Sequence, residues 1–119
     1  MKLEFNSQEP IYLQIIRYFK QQIVLGTLKC GDEIPSRREL AATLKVNANT
    51  VQRAYKEMEE MGIIETVKNF QSTVTTNERS IQMLRNELIS DAVTGLVKAL
   101  KPIGVDKDEV KKIIDESWK

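Results

Sequence analysis

The sequence predicts a mainly α-helical chain with one small β-hairpin and a short helical hairpin at its C-terminal end. Three observations predict this. Apolar residues recur at helical spacing over residues 11–25 and again over 81–99. Two cap signals, at Ser36 and Asn47, start helices with only a brief turn between them. After Gly62 the pattern changes to Val, Ile and Thr runs, which favour strands. With 119 residues, 41% hydrophobic and 29% charged, the chain is one ordinary domain or a small domain with an appendage.

The first helix is expected over Ile11 to Leu25. Ile11, Ile15, Phe19 and Ile23 recur every fourth residue, and Tyr12, Ile16 and Val24 widen the stripe. Pro10 suits a helix start and Gly26 a helix end. A loop follows, held by Gly26 and Gly31, in which Pro35 biases Ile34 away from helix. Ser36-x-x-Glu39 is a capping box: the serine oxygen takes a free backbone N–H and the glutamate reaches back to the cap. The second helix is short, ending near Leu44, with Leu40, Ala41 and Leu44 facing inward. Lys45, Val46 and Asn47 form a turn, and Asn47 caps a third helix over about Ala48 to Met61 that stops at Gly62. Two helices joined by so short a turn suit a helix-turn-helix, and an ordinary helical hairpin equally. "IIETV" then reads as a strand, "KNFQ" as a turn and "STVTT" as a returning strand. Three helices and a β-hairpin make the order of a winged helix-turn-helix.

From Asn77 the chain reads as helix again, with Ile81, Leu84, Leu88, Ala92, Leu96 and Ala99 on one stripe, broken at Pro102 and Gly104. The last helix is expected at Asp106, whose carboxylate can cap it. Val105 and Val110 form a hydrophobic staple there, and Val110, Ile113, Ile114 and Trp118 form its apolar side. "DKDEVKKIIDE" has two acids at calcium-loop spacing, but Lys111 stands where the loop needs glycine, so helix-start chemistry is the better reading. The division is placed at residues 1–76 for the winged domain and 77–119 for the tail.

Composition excludes several chemistries. With no histidine, the chain has no His-based triad, no HExxH site and no His-ligated metal. The single Cys30 excludes an intramolecular disulfide and a Cys-rich zinc site. No Walker loop, GxGxxG or GxSxG occurs, no cofactor is expected, and an enzyme is disfavoured. No apolar run reaches the roughly 18 residues of a membrane helix and no signal-peptide pattern opens the chain, which points to a cytoplasmic protein.

The net charge of +1 announces no nucleic-acid partner; its distribution is more useful, giving a patch that suits phosphates and equally a generic solvated basic face. Residues 36–56 hold Arg37, Arg38, Lys45, Arg53 and Lys56 against the single acid Glu39, a local charge of +4. Glu57, Glu59 and Glu60 read as a solvated helix end. On an ideal helix with Asn49 at about 0°, Gln52 falls near −60°, Arg53 near +40° and Lys56 near −20°. Val51, Ala54, Tyr55, Met58 and Met61 fall on the opposite face. That polar face carries the chemistry a major groove demands: Asn and Gln pair with adenine, Arg with guanine, Lys with phosphate or guanine. Asn49, Thr50, Gln52 and Arg53 sit in the N-terminal half, where base contacts are usual.

"EPIYLQI", "GTLKCGDEIPSRRELAATLKV" and "NANTVQRAYKEMEEMGII" together resemble the GntR family of bacterial transcriptional regulators, most closely its YtrA-like branch. The resemblance covers about residues 9–75 and implies a sequence-specific regulator, by branch a repressor, of a transporter operon. It implies DNA contacts at Ser36 and Arg38, with Arg37 between them, and at Asn47, Ala48, Asn49, Thr50 and Gln52. Many members carry arginine where this chain has Ala48. Family wings carry an arginine and two glycines where Val67, Asn69 and Gln71 stand, leaving Lys68 as the wing cation and its expected phosphate contact.

The tail buries little surface by itself, and pairing with a second copy through Ile81, Leu84, Leu88, Ala92, Leu96, Val110, Ile113 and Ile114 is expected. The partners expected are therefore a palindromic duplex operator and a second copy. The alternative is a winged-helix protein–protein interaction module. The tail is too small to enclose a ligand pocket of about 300 Å³, and a small-molecule effector is left open only because a ligand could bind between subunits.

Overall fold

The computed structural model describes residues 3–67 and 71–119. Helix α1 spans Ile11–Leu25, and Gly26 ends it at φ 89°, a left-handed turn in which its N–H reaches the carbonyls of Gln22 and Ile23. Helix α2 spans Arg37–Leu44. Both halves of the capping box form: Glu39 N–H donates to Ser36 Oγ at 3.1 Å and Ser36 N–H to Glu39 Oε1 at 3.2 Å. Lys45 closes α2 at φ 57°, a left-handed position filled here without glycine. Helix α3 spans Ala48–Glu60, with Asn47 Oδ1 accepting from Asn49 N–H at 2.7 Å. Met61 is its C-terminal cap, and Gly62 takes the left-handed turn at φ 77°.

The sheet has one strand more than expected. Strands β2 (Ile64–Thr66) and β3 (Ser72–Val74) form the hairpin, and β1 (Glu33–Ile34) pairs antiparallel with β3 on its other edge, giving the order β1-β3-β2. Glu33 lies opposite Thr73 and Ile34 opposite Ser72. A two-residue strand has no internal pattern to read, and only its partner defines it. The third strand relieves the hairpin's instability as an isolated pair.

The core lies where α1, α3 and the sheet meet: Ile15, Phe19 and Ile23 from α1, Ile34, Leu40, then Val51, Ala54, Tyr55 and Met58 from α3, with Ile64 and Val74. Leu44, expected inward, is half-buried. Phe19 and Tyr55 meet edge to face with centroids 6.0 Å apart. The buried Tyr55 hydroxyl donates to the Pro35 carbonyl at 2.6 Å. Gln14, also buried, anchors the segment before α1: its Nε2 donates to the carbonyls of Asn6 and Glu9, and its Oε1 accepts from Asn6 N–H.

Helix α4 spans Glu78–Leu100, started by Asn77, whose side-chain oxygen accepts from Arg79 and Ser80 N–H. A 3₁₀ turn at Lys101–Ile103 contains Pro102, and α5 spans Lys107–Ser117. The helix through Asp108 and Glu109 leaves no calcium loop in that stretch. The expected Asp106 carboxylate cap does not form. The side chain is exposed, so water solvates the carboxylate in place of the helix N–H groups, and only the Asp106 carbonyl bonds inward, to Val110 N–H. The chain forms two compact units, residues 1–85 and 86–119. Leu84 is buried within the first, and no residue of the second is buried. Among the described residues no helix is long and apolar enough to cross a membrane.

Two stability outcomes are expected. Tyr55→Phe removes the bond to Pro35 and costs about 1–2 kcal/mol in urea unfolding. Burial raises the Tyr55 phenol above its ordinary value of 10.0. The folded state thus holds the proton more tightly, so stability is full below that value and declines as pH rises beyond it; the Phe variant loses this component. Ser36→Ala costs about 1 kcal/mol as a lost cap. The Ser36 side chain, and then its backbone N–H, hold the Glu39 carboxyl below 4.5. Its contribution is present above that value and fades as pH falls through the lowered one, so the Ala variant shows a flatter acid limb in a thermal-melting series.

Candidate nucleic-acid interface

The interface is built by burying one side of α3. Val51, Ala54, Tyr55 and Met58 are each 0% exposed, which turns Asn49, Gln52, Arg53 and Lys56 to the outside. Thr50 is half-buried at the edge of that face. Asn47 spends its side-chain oxygen on the cap and keeps its amide N–H groups to donate. The helix start is therefore fixed by Asn47, and Asn49 and Gln52 stand one turn apart on the open side.

The cations separate into two groups. Arg38, Lys45 and Lys56 are exposed. Arg37 and Arg53 are engaged by their own chain. Arg37 pairs with Glu59, 22 residues away, and its guanidinium lies 5.5 Å from the Tyr55 ring centre. That ties the start of α2 to the end of α3, and the Arg37 side chain retains 32% exposure. The Arg53 guanidinium lies 3.9 Å from the centre of the Tyr12 ring, with its Nε 4.0 Å from Glu57 Oε2. Glu57 and Glu59 are thus not a solvated helix end, as their spacing suggested. Both are half-buried: Glu59 holds Arg37, which reaches it from α2, and Glu57 stands beside Arg53, one turn earlier on α3 itself. Glu60 is exposed. The charge of +4 read over residues 36–56 is reduced by two acids just beyond that window, Glu57 by helical spacing and Glu59 by the packing of α2 on α3.

Ser36 carries the α2 cap with its lone pair, and its hydroxyl proton remains to donate. Lys68 lies outside the described residues; Val67, before it, is 63% exposed. Gln71, where the resemblance places a wing glycine, donates to the Ile34 carbonyl and so ties the wing to β1. Across the hairpin, the Thr66 and Ser72 hydroxyls bond at 2.6 Å. Sequence reasoning missed Tyr12 as a functional neighbour: it read as one more residue of the α1 stripe. No local spacing signals a stacking partner 41 residues away.

In the second unit, Leu88 and Val110 are half-buried, and Ala92, Leu96, Ile113 and Ile114 are exposed. Ala92, Val93 and Leu96 of α4, Ile113 and Ile114 of α5, and Trp118 just after it line an open apolar groove of about 430 Å³. Ile81 is half-buried within the first unit, and with Leu84 it is covered by its own chain.

Residues 11–74 match the family described as "Bacterial regulatory proteins, gntR family". The chain is 38% identical over 110 residues to the uncharacterized HTH-type transcriptional regulator YhcF of Bacillus subtilis (strain 168), covering 92% of this chain and 91% of that protein. It is 36% identical over 106 residues to the HTH-type transcriptional repressor YtrA of the same organism, covering 89% and 77%. A solved GntR family transcriptional regulator from Listeria monocytogenes superposes with a TM-score of 0.89 at 36% identity, over 94% of this chain and 98% of that one. These relatives are transcriptional regulators, not enzymes. By its matched domain, its near full-length relatives and its three-stranded winged fold, the chain belongs to the GntR family of transcriptional regulators, in the neighbourhood of YtrA.

Proposed function

We propose that this chain is a homodimeric repressor that reads a two-fold symmetric duplex operator in the cytoplasm, on the nucleoid, and that residues 77–119 serve dimerisation. Control of a transporter operon is the extension that the YtrA-like resemblance suggests. One observation carries the DNA reading: α3 is anchored by four fully buried residues and leaves Asn49 and Gln52 exposed one turn apart, beside Lys56. Both amides present the donor–acceptor pair that matches adenine in the major groove. Arg38, Lys45 and Lys56 supply cations for backbone phosphates.

The dimer reading is supported by exposure. Ile89, Val93, Leu96, Val97, Ile113 and Trp118 are between 39% and 82% exposed, and nothing in 86–119 is buried. A unit of that size does not hold itself together with its apolar side chains in water. An isologous pairing covers them and sets two α3 helices on half-sites about 34 Å apart. The groove is open, so an effector site fits only where a second subunit closes it.

Selection of bound fragments from a random duplex library is expected to return a palindrome, and a consensus without two-fold symmetry would overturn the operator reading. On the selected duplex, Gln52→Ala is expected to cost about 1–3 kcal/mol and far less on a shuffled duplex. Equal losses on both would show that Gln52 reads no base. Ile114→Glu in the full chain is expected to convert a sedimenting dimer into a monomer and to weaken operator binding steeply. An unchanged dimer would place the interface elsewhere. Salt decides against the protein-partner alternative: operator binding is expected to weaken steeply as salt rises, by counterion release.

A further inference from the structure

We infer that Arg53 contacts backbone phosphate and not a base edge, and that Tyr12 is the positioning residue that mounts it; this rests on the DNA-binding reading above. Ideal helix geometry puts Arg53 on the reading face, at its edge. The fold then draws it sideways. The guanidinium lies over the Tyr12 ring with Cζ 3.9 Å from its centre, and Glu57 Oε2 stands 4.0 Å from its Nε.

Stacking engages the face of a guanidinium and leaves its in-plane N–H groups free to donate. Glu57 occupies the Nε side. What remains is the outer pair of amino groups, which bond to no described residue, on a side chain that is still 62% exposed. That is a fork held at the α1 edge of α3 by Tyr12, and its planar geometry matches the two free oxygens of a phosphate. A base contact would require the side chain to leave both the ring and Glu57 and to reach inward. It would also bring the carboxylate side toward the negative floor of the groove. A phosphate contact needs neither. Freezing the fork beforehand removes ordering cost from the bound state, which is what a stacked ring supplies.

The test uses the full chain on the library-selected duplex and on a shuffled duplex of equal composition, over about 50 to 200 mM salt. Arg53→Ala is expected to weaken both duplexes by the same several-fold factor. It should also make the slope of log affinity against log salt shallower by about one per subunit. Tyr12→Phe keeps the ring and binds as the parent does. Tyr12→Leu reproduces most of the loss when Arg53 is present and adds nothing to Arg53→Ala, a coupling that general loosening of the fold would not produce. If Tyr12→Leu does not fold, Arg53→Lys decides: it keeps the charge and loses the stacked fork, so intermediate affinity is expected on both duplexes. A loss confined to the selected duplex, a Tyr12→Leu loss that persists without Arg53, or an Arg53→Lys variant equal to the parent would each overturn the assignment. A parent protein that binds no duplex at all would instead refute the DNA-binding reading itself.

Discussion

The hydroxyl of Tyr55 is the constraint on which the reading face depends. A phenol buried in an apolar core must place its O–H on an acceptor, and here it donates to the Pro35 carbonyl, one residue before the α2 cap. That bond fixes the start of α2 against the middle of α3, and the ring's edge contact with Phe19 fixes α3 against α1. Three helices are therefore referenced to one side chain. Asn49 and Gln52 lie within two turns of Tyr55 on the same helix, so they inherit its position. The sheet is tied in nearby: Ile34, which immediately precedes Pro35, is buried and pairs with β3.

The arginines show how the fold redistributes charge that the sequence only counts. Arg37 and Arg53 each face a tyrosine ring and an acid of α3. The two sites differ in consequence. Arg37 is two-thirds covered and braces α2 against α3, so its loss disturbs the helix-turn-helix itself before it touches any phosphate. Arg53 is mostly exposed, and bracing it leaves donors at the surface. A window of sequence that sums to +4 thus yields three cations unengaged among the described residues and one mounted fork.

Much of this fold is legible because its boundaries are written locally. Pro10 and Gly26 bracket α1, Ser36 and Glu39 are three apart as a capping box must be, and Asn47 stands one residue before α3. Each signal spans four residues or fewer and acts through backbone groups beside it. What escaped notice lies between distant segments. Strand β1 exists because β3 passes alongside, and the ion pair from Arg37 spans 22 residues to Glu59. Tyr12 reads as core because its neighbours are core. Asp106 is the converse case: the local signal is present, and solvent outcompetes it at an exposed helix start. The candidate site was thus legible in its backbone frame and in which residues face outward, but not in which of those are already engaged.

The small number of unengaged cations on α2, its turn and α3 among the described residues bears on the proposed pairing of two subunits. Non-specific affinity grows with the number of phosphates neutralised, and among the described residues the helix-turn-helix offers Arg38, Lys45 and Lys56 besides the Arg53 fork. With an overall charge of +1, no broad positive field compensates. A single winged domain of this kind holds DNA weakly, and discrimination by two amides per half-site adds only a modest factor. Joining two such domains makes the second contact intramolecular and multiplies the affinities through effective concentration. The apolar side chains left bare on residues 86–119 are costly for a lone chain. They become useful where occupancy of an operator is to depend on pairing.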